Sequence, residues 1–259
     1  MKSGFLKSEI VRTENCANRI YDQHCHPYYE VLFVIKGSVL LNIEGSTAPL
    51  YENTGIVIEP LKYHIVTGNQ TDYHRLILLF EECDIPEGIR TLFADNARIN
   101  SVFASSGLTD LFQKYIAVLE KDNSAYYPLQ NAIFTEILYA LSLEERNPAS
   151  LSENKAGNRL KRIIDYVDQN LSGEIHLSDI ATALYMSESA VCHLFKEEMK
   201  TSLKKYIIEK KMMYARSLLQ QGATPGSAAI ACGYKNYASF YKMFCKIVGK
   251  SPAEILSTQ

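Results

Sequence analysis

The segment 146–158, RNPASLSENKAGN, constrains this 259-residue chain more than any other stretch. It is polar, holds Pro148 and Gly157, and carries no hydrophobic period, so no core can be propagated through it. The chain therefore has two folding problems rather than one, which suits its length. The two sides differ in texture. Before the segment, apolar residues come first in short β-branched runs and then at steps of three and four. After it, only the helical spacing occurs.

The runs Glu30–Ile35, Val39–Ile43, Gly55–Ile58 and Arg75–Phe80 are separated by Gly, Pro, Asn and Ser. This spacing predicts an antiparallel sandwich or barrel over 19–80. The stripes Leu108, Leu111, Phe112, Tyr115, Ile116, Leu119 and Leu129, Ile133, Ile137, Leu138, Leu141 predict two amphipathic helices, with a break at Tyr126-Tyr127-Pro128. The expected fold class is α+β in two domains. A barrel occupies 1–95, a helical segment 96–147, a linker 148–158 and an all-α domain 159–259.

Composition excludes several classes. With 47% hydrophobic and 22% charged residues, the chain is neither disordered, nor collagen-like, nor a coiled-coil rod. No apolar run reaches the roughly 18 residues of a membrane span. The N-terminal MKSGFLKSEIVRTEN lacks a signal-peptide core. A cytoplasmic protein without membrane contact is expected. Cysteines 16, 25, 83, 192, 232 and 245 form no CxxC pair and read as reduced, mostly buried thiols. Residues 1–156 carry 13 Lys and Arg against 20 Asp and Glu, a net −7, whereas 157–259 carry 14 against 9, a net +5. A basic module of this size points to phosphate as a partner.

That basic part reads as a series of helices. Leu160, Ile163, Ile164 and Val167 form one stripe, closed near Ser172-Gly173. Leu177–Leu184 is a short helix that Ser178 or a neighbour caps, and Ser187 caps Glu188–Met199. A long helix over Ser202–Leu219 ends at Gly222, a C′ glycine. Thr224-Pro225 opens the next helix, Gly233-Tyr234 breaks it, and Asn236 caps a helix reaching Val248. Short helix, tight turn and helix thus occur twice, over Leu177–Met199 and Ala228–Val248, and position 193 matches 242 at a 49-residue offset. In such a unit the second helix can enter the DNA major groove while the first crosses the backbone. Two units on one rigid helix can enter successive grooves about 34 Å apart.

Ile180-Ala181, Leu184, Met186-Ser187, Leu194-Phe195-Lys196, Ser202-Leu203 and Tyr206 carry a resemblance to the AraC/XylS family of transcription regulators. Ala229, Cys232-Gly233-Tyr234, Ser239-Phe240, Phe244, Gly249 and Ser251-Pro252 extend it over roughly 159–255. The resemblance implies that Ser189, Cys192, His193 and Lys196 face bases from the first recognition helix. Tyr237, Ala238, Tyr241 and Lys242 would do so from the second. Leu194, Phe195, Phe240 and Phe244 would be core. His193 stands where the family often has Arg, Cys245 where a basic residue is common, and Tyr185 at a turn position often held by Gly. Implied partners are double-stranded DNA, a small-molecule effector such as a sugar or another polar metabolite, a second copy of the chain through the 107–145 helices, and RNA polymerase.

Four of the six histidines fall within 24–74. His24-x-His26-x3-Glu30-x6-Gly37 is similar to the first signature of the cupin barrels, and Gly55-x4-Pro60-x3-His64 to a shortened second one, with Lys62 where Gly is usual. Three readings stand here. Metal cupins would use His24, His26, Glu30 and His64 as three nitrogens and one oxygen, a set suiting Fe, Mn, Ni or Zn. A structural reading makes them a hydrogen-bonded polar cluster at a barrel mouth. A third reading has the cluster, with Tyr28 and Tyr63, bind a small polar ligand between aromatic walls. Regulators of the AraC/XylS type often carry such a sensor, so the ligand site is preferred, and no metal, cofactor or catalytic residue is expected. The chain is then a non-enzymatic, sequence-specific DNA-binding transcription regulator responsive to a small molecule. The alternative is a metal-dependent cupin enzyme fused to a DNA-binding domain.

Overall fold

The computed structural model describes residues 7–14, 24–68, 72–96, 102–121, 123–143 and 155–257. The chain forms two compact units, 1–152 and 153–259. The first is mixed α and β, and the second is helical.

Among the described residues the first unit holds eight strands: β1 (Lys7–Glu14), β2 (Tyr29–Lys36), β3 (Ser38–Ile43), β4 (Ser46–Tyr51), β5 (Gly55–Ile58), β6 (His64–Gly68), β7 (Asp72–Phe80) and β8 (Val102–Phe103). One sheet runs β1-β7-β2-β5-β8 and the other β4-β3-β6, with every adjacent pair antiparallel. The expected barrel is therefore not closed: among the described residues no ladder joins the two sheets. Pro49, which cannot donate to a ladder, sits in β4 at the edge of the smaller sheet.

β2 explains the layering. Its stretch Val31–Ile35 is apolar without alternation because both faces are covered. Side chains alternate along a strand. Leu32 and Val34 face the smaller sheet, packing with Val39, Leu41, Ile43, Leu50 and Val66. Val31 and Phe33 face the helices α1 (Glu87–Asn96), α2 (Ser106–Leu119) and α3 (Tyr127–Leu143), among Phe93, Phe112, Tyr115, Phe134 and Ile137. The Phe33 and Phe112 rings stack at 4.4 Å. The layers are thus sheet, sheet and helices.

The β3–β4 hairpin is closed by Glu44 and Gly45, both at positive φ (49° and 89°), as a two-residue type I′ turn requires. Asn42 Oδ1 accepts the Gly45 N–H at 2.9 Å.

The second unit holds α4 (Lys155–Gln169), α5 (Leu177–Leu184), α6 (Glu188–Met199), α7 (Leu203–Gln220), α8 (Pro225–Ala231), α9 (Tyr237–Val248) and α10 (Pro252–Leu256). Ser187, Ser202, Thr224, Asn236 and Ser251 each accept a first-turn N–H and so satisfy a donor that the helix cannot. Two expectations are corrected. His176, not Ser178, occupies the α5 N-cap, without a side-chain bond; Ser178 already lies inside the helix. The linker's last residues are helical, because α4 begins at Lys155; residues 144–154 lie outside the described ones.

The cysteine expectation is also corrected. Of the five in the described residues, Cys232 alone is buried; Cys83 and Cys192 are exposed, and Cys25 and Cys245 are half-buried. Cys192 falls on a polar helix face and Cys83 in a short turn, so neither meets a core. Cys16 lies outside the described residues. Among the described residues, no helix is long and apolar enough to cross a membrane.

Candidate functional site

Glu30 shares the parity of Leu32 and Val34, so it points between the two sheets. A buried carboxylate there needs partners. It is 5% exposed and finds two. His26 Nε2 lies 2.8 Å from Glu30 Oε2. His64, which opens β6 and is 1% exposed, brings Nε2 to 3.1 Å from the same oxygen. That second contact is an ion-pair approach of the two atoms.

Both rings are oriented from behind. His26 Nδ1 lies 3.0 Å from the Tyr28 carbonyl, and His64 Nδ1 3.0 Å from the Lys62 carbonyl. His24 joins through the backbone, exchanging N–H bonds with His64 of 3.2 and 3.0 Å. Its ring lies 4.5 Å from that of His64 and 5.8 Å from that of His26. One ligand atom from each of His24, His26, Glu30 and His64 lies within 4.8 Å of all the others. Exposure is graded from His24, which is exposed, through half-buried His26 to buried Glu30 and His64.

The preceding loop is braced. Glu44 holds Lys62 Nζ at 3.0 Å and the Tyr63 N–H at 3.4 Å, and the Leu61 N–H binds the His26 carbonyl at 2.9 Å. Leu61 takes a positive φ of 68° to make that turn. Of the two expected aromatic walls, Tyr28 is stacked on His26 at 6.0 Å. Tyr63 is buried at 3% exposure, directly before His64.

Burial alone would raise the Glu30 carboxyl. The close contacts with His26 and His64 and the charges of both rings outweigh it and hold the group far below the usual carboxylate range. Burial would likewise lower His64, but the Glu30 carboxylate and the Lys62 carbonyl win, and the imidazole is pushed up against the opposing charge of Arg75. Arg75 was missed by sequence reading. A lone cation within the apolar run Arg75–Phe80 was the available signal.

In the second unit, α5 and α6 are joined through Tyr185, Met186 and Ser187. Tyr185 takes the left-handed conformation (φ 55°, ψ 43°) and is 94% exposed. α8 and α9 are joined through Cys232–Asn236, where Gly233 has φ 78°. The side chains of Ser189, Cys192, His193 and Lys196 on α6, and of Tyr237, Ala238, Tyr241 and Lys242 on α9, are all exposed. Val191, Phe195, Phe240 and Phe244 turn inward. The two helices differ in charge. α6 sets Lys196 among Glu188, Glu197 and Glu198, and His193 Nδ1 lies 3.6 Å from Glu197. α9 carries Lys242 and Lys246 and no acid.

Lys211 of α7 was also missed. It is buried, and its Nζ donates to the carbonyls of Gly173, before α5, and Cys232, after α8, the latter at 3.0 Å. One ammonium thus ties both helix pairs to the connecting helix. Burial lowers its pKa.

Two family profiles match in order: an AraC-like ligand binding domain over residues 8–138 and a helix-turn-helix domain over 180–258. The chain is 22% identical over 232 residues to the probable transcriptional regulator LumQ of Photobacterium leiognathi, covering 88% of this chain and 89% of that one. It is 24% identical over 254 residues to the HTH-type transcriptional regulator YdiP of Escherichia coli K12, covering 87% and 77%. ToxT from Vibrio cholerae aligns over 97% of this chain and 96% of its own, at 12% identity and a TM-score of 0.42. With a ligand-binding domain ahead of a helix-turn-helix domain, the chain belongs to the AraC family and is a ligand-responsive, DNA-binding transcription regulator.

Proposed function

We propose that this regulator reads DNA with two helix-turn-helix units, α5–α6 and α8–α9, and senses a small polar effector at the His24, His26, Glu30 and His64 cluster, with Tyr28 and Tyr63 as walls. The N-terminal unit acts as an open, cupin-like sensor. The protein is non-catalytic and works in the cytoplasm on double-stranded DNA, with RNA polymerase as the downstream partner. The observation that carries the effector reading is the meeting of four polar side chains within 4.8 Å at a place graded from exposed to buried. Eight exposed side chains on α6 and α9 support the DNA reading. Ser189, Cys192, His193 and Lys196 would face one groove, and Tyr237, Ala238, Tyr241 and Lys242 the next. α7 spans about 27 Å at 1.5 Å per residue, the right order for linking successive grooves.

We further propose that α2 and α3 pair two copies. Tyr127, Leu129, Tyr139 and Leu143 of α3 are exposed large apolar residues, more than a monomer's helix needs. The proposed division of labour is a sensor over 1–95, pairing helices over 96–147 and a DNA-binding domain over 159–259, with the linker from 148 ending where α4 begins at Lys155. A thermal-shift screen of polar metabolites tests the effector reading, since a compound held only by the native state raises its stability. A hit should protect the wild type, fail to protect His26→Ala, and change DNA affinity. Hits that ignore His26→Ala would sink this site.

A further inference from the structure

We propose that α9 reads thymine, with the Tyr237 and Tyr241 rings and Ala238 packing on thymine C5-methyl groups in the major groove, an inference that rests on reading α8–α9 as a DNA-binding unit. The first support is what α9 can offer a base. Tyr237, Ala238, Tyr241 and Lys242 stand at i, i+1, i+4 and i+5, so they share one exposed face beside the buried Phe240 and Phe244. Arg, Asn, Gln, Asp and Glu, which read base edges through hydrogen bonds, are absent from α9. Asn236 precedes the helix, but its Oδ1 is committed to the Ser239 N–H at 3.0 Å. Lys242 is left as the charged member of the face, and the rest of it is an apolar surface with two phenol tips. Thymine is the only base that shows the major groove an apolar group, its C5-methyl.

The second support is geometric. The Tyr237 ring lies 5.9 Å from the Phe240 ring and 6.2 Å from the Tyr241 ring. Phe240 is fully buried, 5.6 Å from Tyr234 and 5.5 Å from Phe244. The exposed pair is thus seated on core, and ordering it against a base costs little conformational entropy. Charge fits the same occupant, because Lys242 and Lys246 flank the apolar face and no acid on α9 repels a polyanion. α6 differs on both counts. It carries Glu188, Glu197 and Glu198, and its exposed face of Ser189, Cys192, His193 and Lys196 holds no tyrosine or phenylalanine. Methyl reading therefore belongs to the part of the DNA site under α9.

The full-length protein should be titrated with a duplex selected from a random pool, and with the same duplex carrying deoxyuridine for thymine at one position at a time. Deoxyuridine removes the C5-methyl and keeps every base-pair hydrogen bond. We expect a cluster of thymines at which the exchange weakens binding about three- to fourfold, the worth of one buried methyl group. The penalty should vanish in the Tyr237→Ala, Tyr241→Ala double variant, whose fold circular dichroism checks. Tyr237→Phe and Tyr241→Phe should keep it, because the ring and not the hydroxyl makes the contact. Lys196→Ala, on α6, should bind more weakly with the penalty intact. Deoxyuridine tolerated at every position, a penalty that survives the double variant, or one lost in the phenylalanine variants would overturn the inference. The two levels fail separately. If the double variant binds more weakly but deoxyuridine is tolerated throughout, methyl reading falls and α9 remains a DNA-reading helix. If the double variant binds every duplex as the wild type does, both fall.

Discussion

Glu30 and His64 lie in strands of different sheets, yet Glu30 Oε2 and His64 Nε2 are 3.1 Å apart. The contact links β2 to β6 across the gap that leaves the barrel unclosed. Removing one member leaves the other buried and uncompensated. Glu30→Ala should therefore cost about 3–5 kcal/mol of stability, the range for breaking a buried ion pair. His24→Ala, at the exposed rim, should cost under about 1 kcal/mol. Urea unfolding of the two variants checks the contrast, and equal losses would contradict the assigned burial.

The charge difference between α6 and α9 predicts unequal DNA variants. Lys242→Ala should weaken binding more than Lys196→Ala, because no acid on α9 offsets Lys242. A lysine on a base should cost about 1–3 kcal/mol at one sequence position; a lysine on phosphate should weaken all sequences alike and lower the salt slope by about one. Anisotropy titrations at several salt concentrations separate these outcomes. A larger loss for Lys196→Ala would reverse the assignment.

Gly233 is required by space as well as by backbone. At φ 78°, an added Cβ would fall 2.4 Å from the Gly173 carbonyl oxygen, the same oxygen that Lys211 binds. Gly233→Ala should lose about 2–4 kcal/mol. Gly249→Ala, at φ 75° but facing open space, should lose only about 1 kcal/mol. Similar losses for both would mean that backbone strain alone matters.

Tyr185 holds a left-handed φ of 55° with its side chain 94% exposed, so its ring contributes no packing. Tyr185→Gly should stabilise the protein by about 0.5–1 kcal/mol, and Tyr185→Val should destabilise it by at least as much. Thermal unfolding of both variants decides the point.

Much of this was legible in the sequence, and the misses have causes. β2, β3, β5 and β7 announced themselves through β-branched runs. β4 did not, because Pro49 and the short Ser46–Tyr51 run look like loop; the type I′ turn at Glu44-Gly45 was the overlooked signal. β1 and β6 are mixed in polarity, and β8 has only two residues. α4 and α5 were readable from their apolar stripes, and α6–α9 also from the Ser, Thr and Asn caps that open them. The His-x-His-x3-Glu spacing brought attention to Glu30. The orientation of its imidazoles depends on the Tyr28 and Lys62 carbonyls, which no spacing encodes. Lys211 is one of several lysines in α7, and nothing in their spacing marks it as the one that the fold ties to Gly173 and Cys232.

The central claim is that occupancy of the His24, His26, Glu30 and His64 cluster controls DNA binding. The most direct measurement is the affinity of the full-length protein for a duplex selected from a random pool, followed as a polar compound that protects the wild type in the thermal-shift screen is added. Coupling between two sites commonly amounts to 5- to 150-fold. The account predicts a change of at least about fivefold, in either direction, complete near one equivalent per chain and missing in His26→Ala. An affinity that stays constant while the same sample is saturated with that compound would contradict it.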